Sequence, residues 1–424
     1  MRRDLSLYWW GQTASAFGSI FTAVALPVVA LTRLGASAGE MGVISAAAIA
    51  PGIIFGLPVG ALADRISRPR RVLLILDTVS ALGVGLLALA LAGNVATIWW
   101  LVCLGVLQGG VSILIECLYF VHLRQLVDAD AIGPARARLQ AGAYGAALLG
   151  RILAGPVIVA FGSPAALGID AASYLVSAAV LLSMRASDLV AASPGQRSAG
   201  TFRGAAAGLR FFAAHPFQRA LLVFIVVPVA AASGLSALTG PFLLRVIHLP
   251  TAYYGLAFVL SGVTGLIGST VAARVLGPRV DPRRTAILAF SGGIACYVLL
   301  PLAAGPLALA TACAALGIGL PIFFGSIANA SLGAVFARDV AEGEMGRISA
   351  ALQVIAGIAA LVGSLLGGVL GDWLGVRAAL WALCAVALLA VVLVGPRALR
   401  SARVLREAES VPVPAASVPS GAAG

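Results

Sequence analysis

Gln108, Ser112 and Glu116 step by four through "GVLQGGVSILIECLYF" (105–120), a stretch otherwise apolar enough to cross a membrane. Residues four apart stack on one helix face, so the three polar groups are expected to line up. A carboxylate at membrane depth costs at least ~2.5 kcal/mol on insertion scales, which makes Glu116 a candidate for function. Its chemistry would be proton exchange or capture of a cation. The only basic residue expected at comparable depth is Arg151, one span later. One reading makes Glu116–Arg151 a structural pair, because buried charges are costly unless paired. A second has Glu116 exchanging a proton or a cationic substrate, with Arg151 tuning it. A third leaves Glu116 shallower, wetted near the mouth of its helix. Asp77 and Asp170 fall nearer span ends and read as caps or anchors, and Tyr119 as a ligand wall or simple packing.

Composition dictates the elements that position these groups. The chain has 424 residues, 61% hydrophobic and 10% charged, whereas soluble domains carry roughly 25% charged residues. Apolar runs of about 20 residues, the length that crosses a bilayer core, recur throughout. The net charge of +12 does not point to nucleic acid, because every Lys/Arg position is Arg and these cluster at the ends of apolar runs. Cys103, Cys117, Cys296, Cys313 and Cys384 lie inside apolar segments without C-x-x-C spacing, so neither a disulfide framework nor a metal site is expected. A chain without Lys cannot carry a Walker-type phosphate loop, which excludes ATP hydrolysis, and no cofactor is expected. His122, His215 and His248 are scattered, with no Ser–His–Asp set to support a membrane enzyme.

The fold class that follows is an all-α integral membrane protein with twelve transmembrane helices. The arginines fix its expected orientation. With both termini in the cytoplasm, the outer loops hold only Arg33, Arg245 and Arg377, as the positive-inside rule requires. The expected domains are a first six-helix bundle (1–184), a cytoplasmic linker (185–217), a second bundle (218–396) and a disordered tail (397–424). Within the linker, "FRGAAAGLRFF" suits a short amphipathic helix on the inner leaflet, with Arg203 and Arg210 at lipid headgroups.

The two halves are repeats. At a constant offset of 213, Gly42 falls on Gly255, Gly52 on Gly265, "PRR" (69–71) on "PRR" (282–284) and Leu139–Gln140 on Leu352–Gln353. Parallel six-span repeats characterise one large class of transporters.

The motifs agree. "GALADRISRPRRVLL" (60–74) resembles the signature of the major facilitator superfamily, a Gly-x-Leu-Ala-Asp-Arg run followed by a basic cluster. Gly60, Asp64, Arg65, Arg68 and Arg71 fit it, while Ser67 stands where the pattern has Gly and Pro69 interrupts the basic run. Asp64, at the cytoplasmic end of a helix among arginines, suits pairing across to a neighbouring helix at a cytoplasmic gate; a charge cluster that only sets topology is the alternative. "GRILAGPVIVAFG" (150–162) resembles the antiporter element of that superfamily at Gly155 and Pro156, with Arg151 in place of a small residue. "GVLQGG" (105–110) resembles the Arg-x-x-Gln-Gly element of drug–proton antiporters but has Gly105 at the Arg position. The first two spans and "GIDAASYLVSA" (168–178) are similar to the subgroup of siderophore and multidrug exporters.

In that superfamily the first, fourth, seventh and tenth spans line a central cavity. Polar residues recur on one face of each here: Gln12, Ser15, Ser19 and Thr22; Gln108, Ser112 and Glu116; Ser233 and Ser236; Ser326 and Asn329. Ser and Gly on such faces equally suit helix packing. The sequence thus predicts a cell-membrane transporter, monomeric in the bilayer, that exports a small organic compound by proton antiport. Uptake or facilitated diffusion is the alternative within transport; a non-transporting scaffold is the distant one.

Overall fold

A computed structural model describes residues 2–63, 66, 68–127, 131–184, 216–275, 280–339 and 345–410. The expected linker helix, Asp64, Arg65 and residues 411–424 lie outside them. Among the described residues, twelve helices are long and apolar enough to cross a membrane. They are α1 (Arg2–Thr32), α2 (Ala38–Ala63), α3 (Pro69–Ala92), α4 (Ile98–Leu126), α5 (Ile132–Phe161) and α6 (Ser163–Ser183). The second half holds α7 (Pro216–Pro241), α8 (Thr251–Val275), α9 (Pro282–Leu302), α10 (Leu307–Asp339), α11 (Met345–Leu374) and α12 (Val376–Ser410). Arg2 and Ser410 lie on the same face, called here the terminal face; the other is the opposite face.

The helices outrun the apolar windows. The tail expected from residue 397 begins as helix: α12 continues through Pro396 to Ser410. "RALRSARVLREAES" is rich in helix formers, and Pro396 limits only its own turn.

Small residues set the spacing between helices, since lipid supplies no hydrophobic force between apolar surfaces. Within the first half, α1 lies on α6 and α5, α3 on α6, and α2 on α4. Within the second, α7 lies on α11 and α12, and α10 on α8 and α9.

Between the halves, α2 lies on α11 and α5 on α8, and the two interfaces follow the repeat. A methyl on Gly42 of α2 would meet the carbonyl oxygen of Ser364 at 2.6 Å, and one on Gly255 of α8 would collide with that of Arg151. A methyl on Gly155 of α5 would collide with Ala252 O, and one on Gly368 of α11 would meet Ala38 O at 2.8 Å and Gly39 Cα at 3.0 Å. Ser364 and Arg151, Gly368 and Gly155, and Gly39 and Ala252 are each 213 positions apart. Two glycine clasps related by the repeat therefore join the halves at the opposite face. On the terminal-face side, α4 and α10 do not lie against each other among the described residues.

Candidate transport pathway and its gates

Glu116 is exposed, as is Ser112 one turn earlier. Both lie on the α4 stripe that begins with Gly105 and Gly109, whose backbones rest on Ile44 and Ala48 of α2. That stripe is covered near the opposite face and uncovered toward the terminal face, where Glu116 stands about ten residues, roughly 15 Å, from Leu126.

Arg151 is elsewhere. It sits in the opposite-face half of α5, and its Nη1 donates to Phe258 O at 3.1 Å and Ser261 Oγ at 3.3 Å, both on α8. Among the described residues no ion pair joins it to Glu116. The structural pair is thus corrected. α4 and α5 run antiparallel, so equal positions counted along the chain are not equal depths. Arg151 ties the halves together beside the Gly155 clasp. Pro156 lies in the same α5 turn, exposed.

Three further contacts close the opposite face. Arg245 Nη2, in a π-helical turn after α7, donates to Leu31 O of α1 at 2.9 Å. Ser37 Oγ and Gly39 N, at the start of α2, each donate to Asp372 Oδ2 of α11 at 3.0 Å.

Several residues of the polar stripes have hydrogen-bond partners within their own half. Ser19 donates to Ser15 O at 3.0 Å and meets the Tyr174 hydroxyl of α6 at 3.1 Å, inside the first half. Gln108 Oε1 accepts from Ser80 of α3 at 3.2 Å. Ser326 donates to Ile322 O and to Gly265 O of α8, so it serves helix packing. Ser19, Gln108 and Ser326 are half-buried, and each has a partner on a neighbouring helix: a hydroxyl or amide in an apolar bundle turns toward whatever acceptor is nearest. Ser236 and Asn329 are exposed, and Gln12, Ser15 and Ser233 half-buried. Tyr119 is half-buried with its ring 5.9 Å from that of Tyr8.

Of the signature loop, Gly60 lies near the end of α2, Arg68 precedes α3 with an exposed side chain, and Arg71 is exposed in the first turn of α3. Asp77 and Asp170 do not cap or anchor span ends. Both are buried inside the first half, and the Thr22 hydroxyl donates to Asp170 Oδ2. Their polarity could have drawn attention to them; their nearness to the span ends, about two turns into α3 and α6, hid their burial.

The model of the Major Facilitator Superfamily matches residues 8–331. The chain belongs to that superfamily. No curated relative matches. Among solved structures, a mutant of the nucleoside transporter NupG is similar with a TM-score of 0.72 at 13% identity, covering 93% of this chain and 98% of that one. A bacterial homologue of the iron transporter ferroportin, inward-facing, gives 0.71 at 15%, covering 94% and 99%. A bacterial homologue of the lysosomal transporter Spinster, inward-facing, gives 0.67 at 13%, covering 96% and 98%. At such identities the likeness is one of fold. Membership of the superfamily and the twelve apolar helices make the chain a multi-pass membrane transporter.

Proposed function

We propose that the chain is a secondary active exporter of a small, partly hydrophobic organic compound, exchanged for protons entering the cell. The carrying observation is Glu116: a carboxylate exposed on an apolar helix, in the part of the molecule that the two clasps leave unclosed. A cationic drug or metabolite suits it, and so does a proton, and the two would compete. The arginine distribution supports a cytoplasmic terminal face in the cell membrane. The described conformation is then the inward-facing one. Rupture of the clasps and closure at the terminal face, with Asp64, Arg65, Arg68 and Arg71 as the pairing groups, would carry cargo outward. Ser112, Ser236 and Asn329 would contact it.

Proton movement in everted vesicles on addition of ethidium, a cationic dye, tests the reading with wild type and Glu116→Gln. A response in wild type that is lost in the variant supports it. Equal responses remove Glu116 from coupling, and dye entering without proton movement favours uptake or facilitated diffusion.

A further inference from the structure

Two carboxyl groups lie inside the first half, with no cation beside them among the described residues. Asp170 of α6 is 1% exposed and Asp77 of α3 is 4% exposed. Asp170 Oδ2 accepts from Thr22 of α1, while the Ser173 hydroxyl donates to Asp170 O at 2.7 Å and approaches Oδ1 at 3.4 Å. Asp77 faces Ser177 of α6, and its Oδ2 is buried without a hydrogen-bond partner.

Tyr174 stands between them, within electrostatic reach of both. Because Ser19 donates to Ser15 O, the Tyr174 phenol is left to donate to Ser19. On the α4 side, Ser80 Oγ donates to Gln108 Oε1, and Gln108 Nε2 is buried with no partner. Below Asp77 lies Tyr8, whose ring meets His122 at 5.1 Å and Tyr119 at 5.9 Å. Arg70, at the terminal-face end of α3, donates to Leu182 O of α6. Neither carboxyl has an ion-pair partner among the described residues. A methyl on Gly18 of α1 would collide with Ser173 Oγ, so glycine is what lets α1 come this close to α6.

An ionised carboxylate held in such a place, without a cation and with one oxygen unbonded, costs several kcal/mol. The neutral acid avoids that cost and supplies a proton that a neighbouring oxygen can accept. We propose that Asp77 and Asp170 form a proton-holding pair in the seam of α1, α3, α4 and α6, loaded in the conformation described here. The inference rests on the proton-coupled reading above and separates two tasks. Glu116 meets the cargo, and the seam holds the proton. α1 touches both the seam and the Glu116 helix: Thr22 is buried on Asp170, and Tyr8 meets Tyr119 of α4. Repacking of α1 against α6 as the clasps open and re-form would give the pair access to water: protons taken up while the opposite face is open are carried in and released toward the terminal face, as exchange for outgoing cargo requires.

Infrared spectroscopy of the purified full chain in liposomes tests this, because neutral carboxylic acids show a carbonyl stretch that carboxylates lack. At neutral pH the wild type is expected to show this band and to lose it reversibly as pH rises. Asp77→Asn and Asp170→Asn each remove part of it; Glu116→Gln does not. Thr22→Val keeps both acids and shifts the Asp170 component, which guards against poorly folded Asn variants. No band in wild type, a band that both Asn variants leave intact, or a band that never titrates while the fold survives overturns the proposal. The measurement needs no cargo. Loss of dye-driven proton movement in wild type would therefore sink the antiport reading while the infrared result still decided the pair.

Discussion

Asp372 Oδ2 accepts the backbone N–H of Gly39 at 3.0 Å, so a carboxylate of the second half sits at the first turn of a helix of the first. Ser37 completes the arrangement. Its hydroxyl donates to the same oxygen, and Ser37 and Glu40 form a capping box, with Ser37 N donating to Glu40 Oε2 at 2.7 Å and Glu40 N to Ser37 Oγ at 3.2 Å. The carboxylate thus meets the positive end of the α2 dipole. It can do so only while the opposite face is shut. An anion at an exposed helix N-terminus contributes about 0.5–1 kcal/mol. Asp372→Asn is expected to shift the population about two- to fivefold toward opening of that face. Spin labels at Val95→Cys and Leu307→Cys, read by pulsed distance measurement, would show it as growth of a longer distance. An unchanged distribution would mean that Asp372 plays no part in the closure.

The glycine clasps make a sharper prediction because the repeat supplies its own control. Gly155→Ala and Gly368→Ala press equivalent methyls against equivalent backbones, Ala252 and Gly39. Overpacking of this kind costs about 1–3 kcal/mol. Each substitution should disfavour the closed opposite face by about tenfold or more in the same spin-label experiment, and the two should act alike. Gly168→Ala, where a methyl meets nothing within 4 Å, should leave the distribution untouched. Unequal effects of the two clasp substitutions would show that the halves do not share the load.

Several of these features were legible in the sequence and others were not, for reasons of geometry. Bilayer thickness turns apolar run length into a count of helices, so the twelve spans stood out, and the offset of 213 reappears as paired clasps. Helical position tells which residues share a face but not which neighbour that face meets. Gln108 and Glu116 belong to one polar stripe, yet the first turns to Ser80 and the second is exposed. Asp170 lies about two turns into α6 and looked peripheral by count, but α6 is flanked by α1 and α3 and buries it. Arg151 looked level with Glu116 because residue numbers carry no sign for antiparallel helices.

The separation of Glu116 from Arg151 has a thermodynamic signature. Residues in contact show coupling when mutated together, whereas distant ones add within about 0.5 kcal/mol. Breaking a true buried pair by removing one partner costs about 3–5 kcal/mol, and removing the second recovers much of it. Thermal unfolding of Glu116→Gln, Arg151→Met and the double variant in one detergent is therefore expected to be additive. Arg151→Met should lower stability and Glu116→Gln should not. Strong coupling would restore the ion pair and contradict the bonds to α8.

Arg151 makes its own prediction through those bonds. Its guanidinium spans from α5 to Phe258 O and Ser261 Oγ, so Ser261→Ala removes one acceptor and leaves the carbonyl. A hydrogen bond to a charged group contributes about 1.5–3 kcal/mol. Arg151→Met should therefore open the opposite face more than Ser261→Ala does, with both moving the spin-label distance in the same direction as Gly155→Ala. The order matters more than the size. If Ser261→Ala matched Arg151→Met, the hydroxyl would be holding the interface, and Arg151 would owe its place to packing alone.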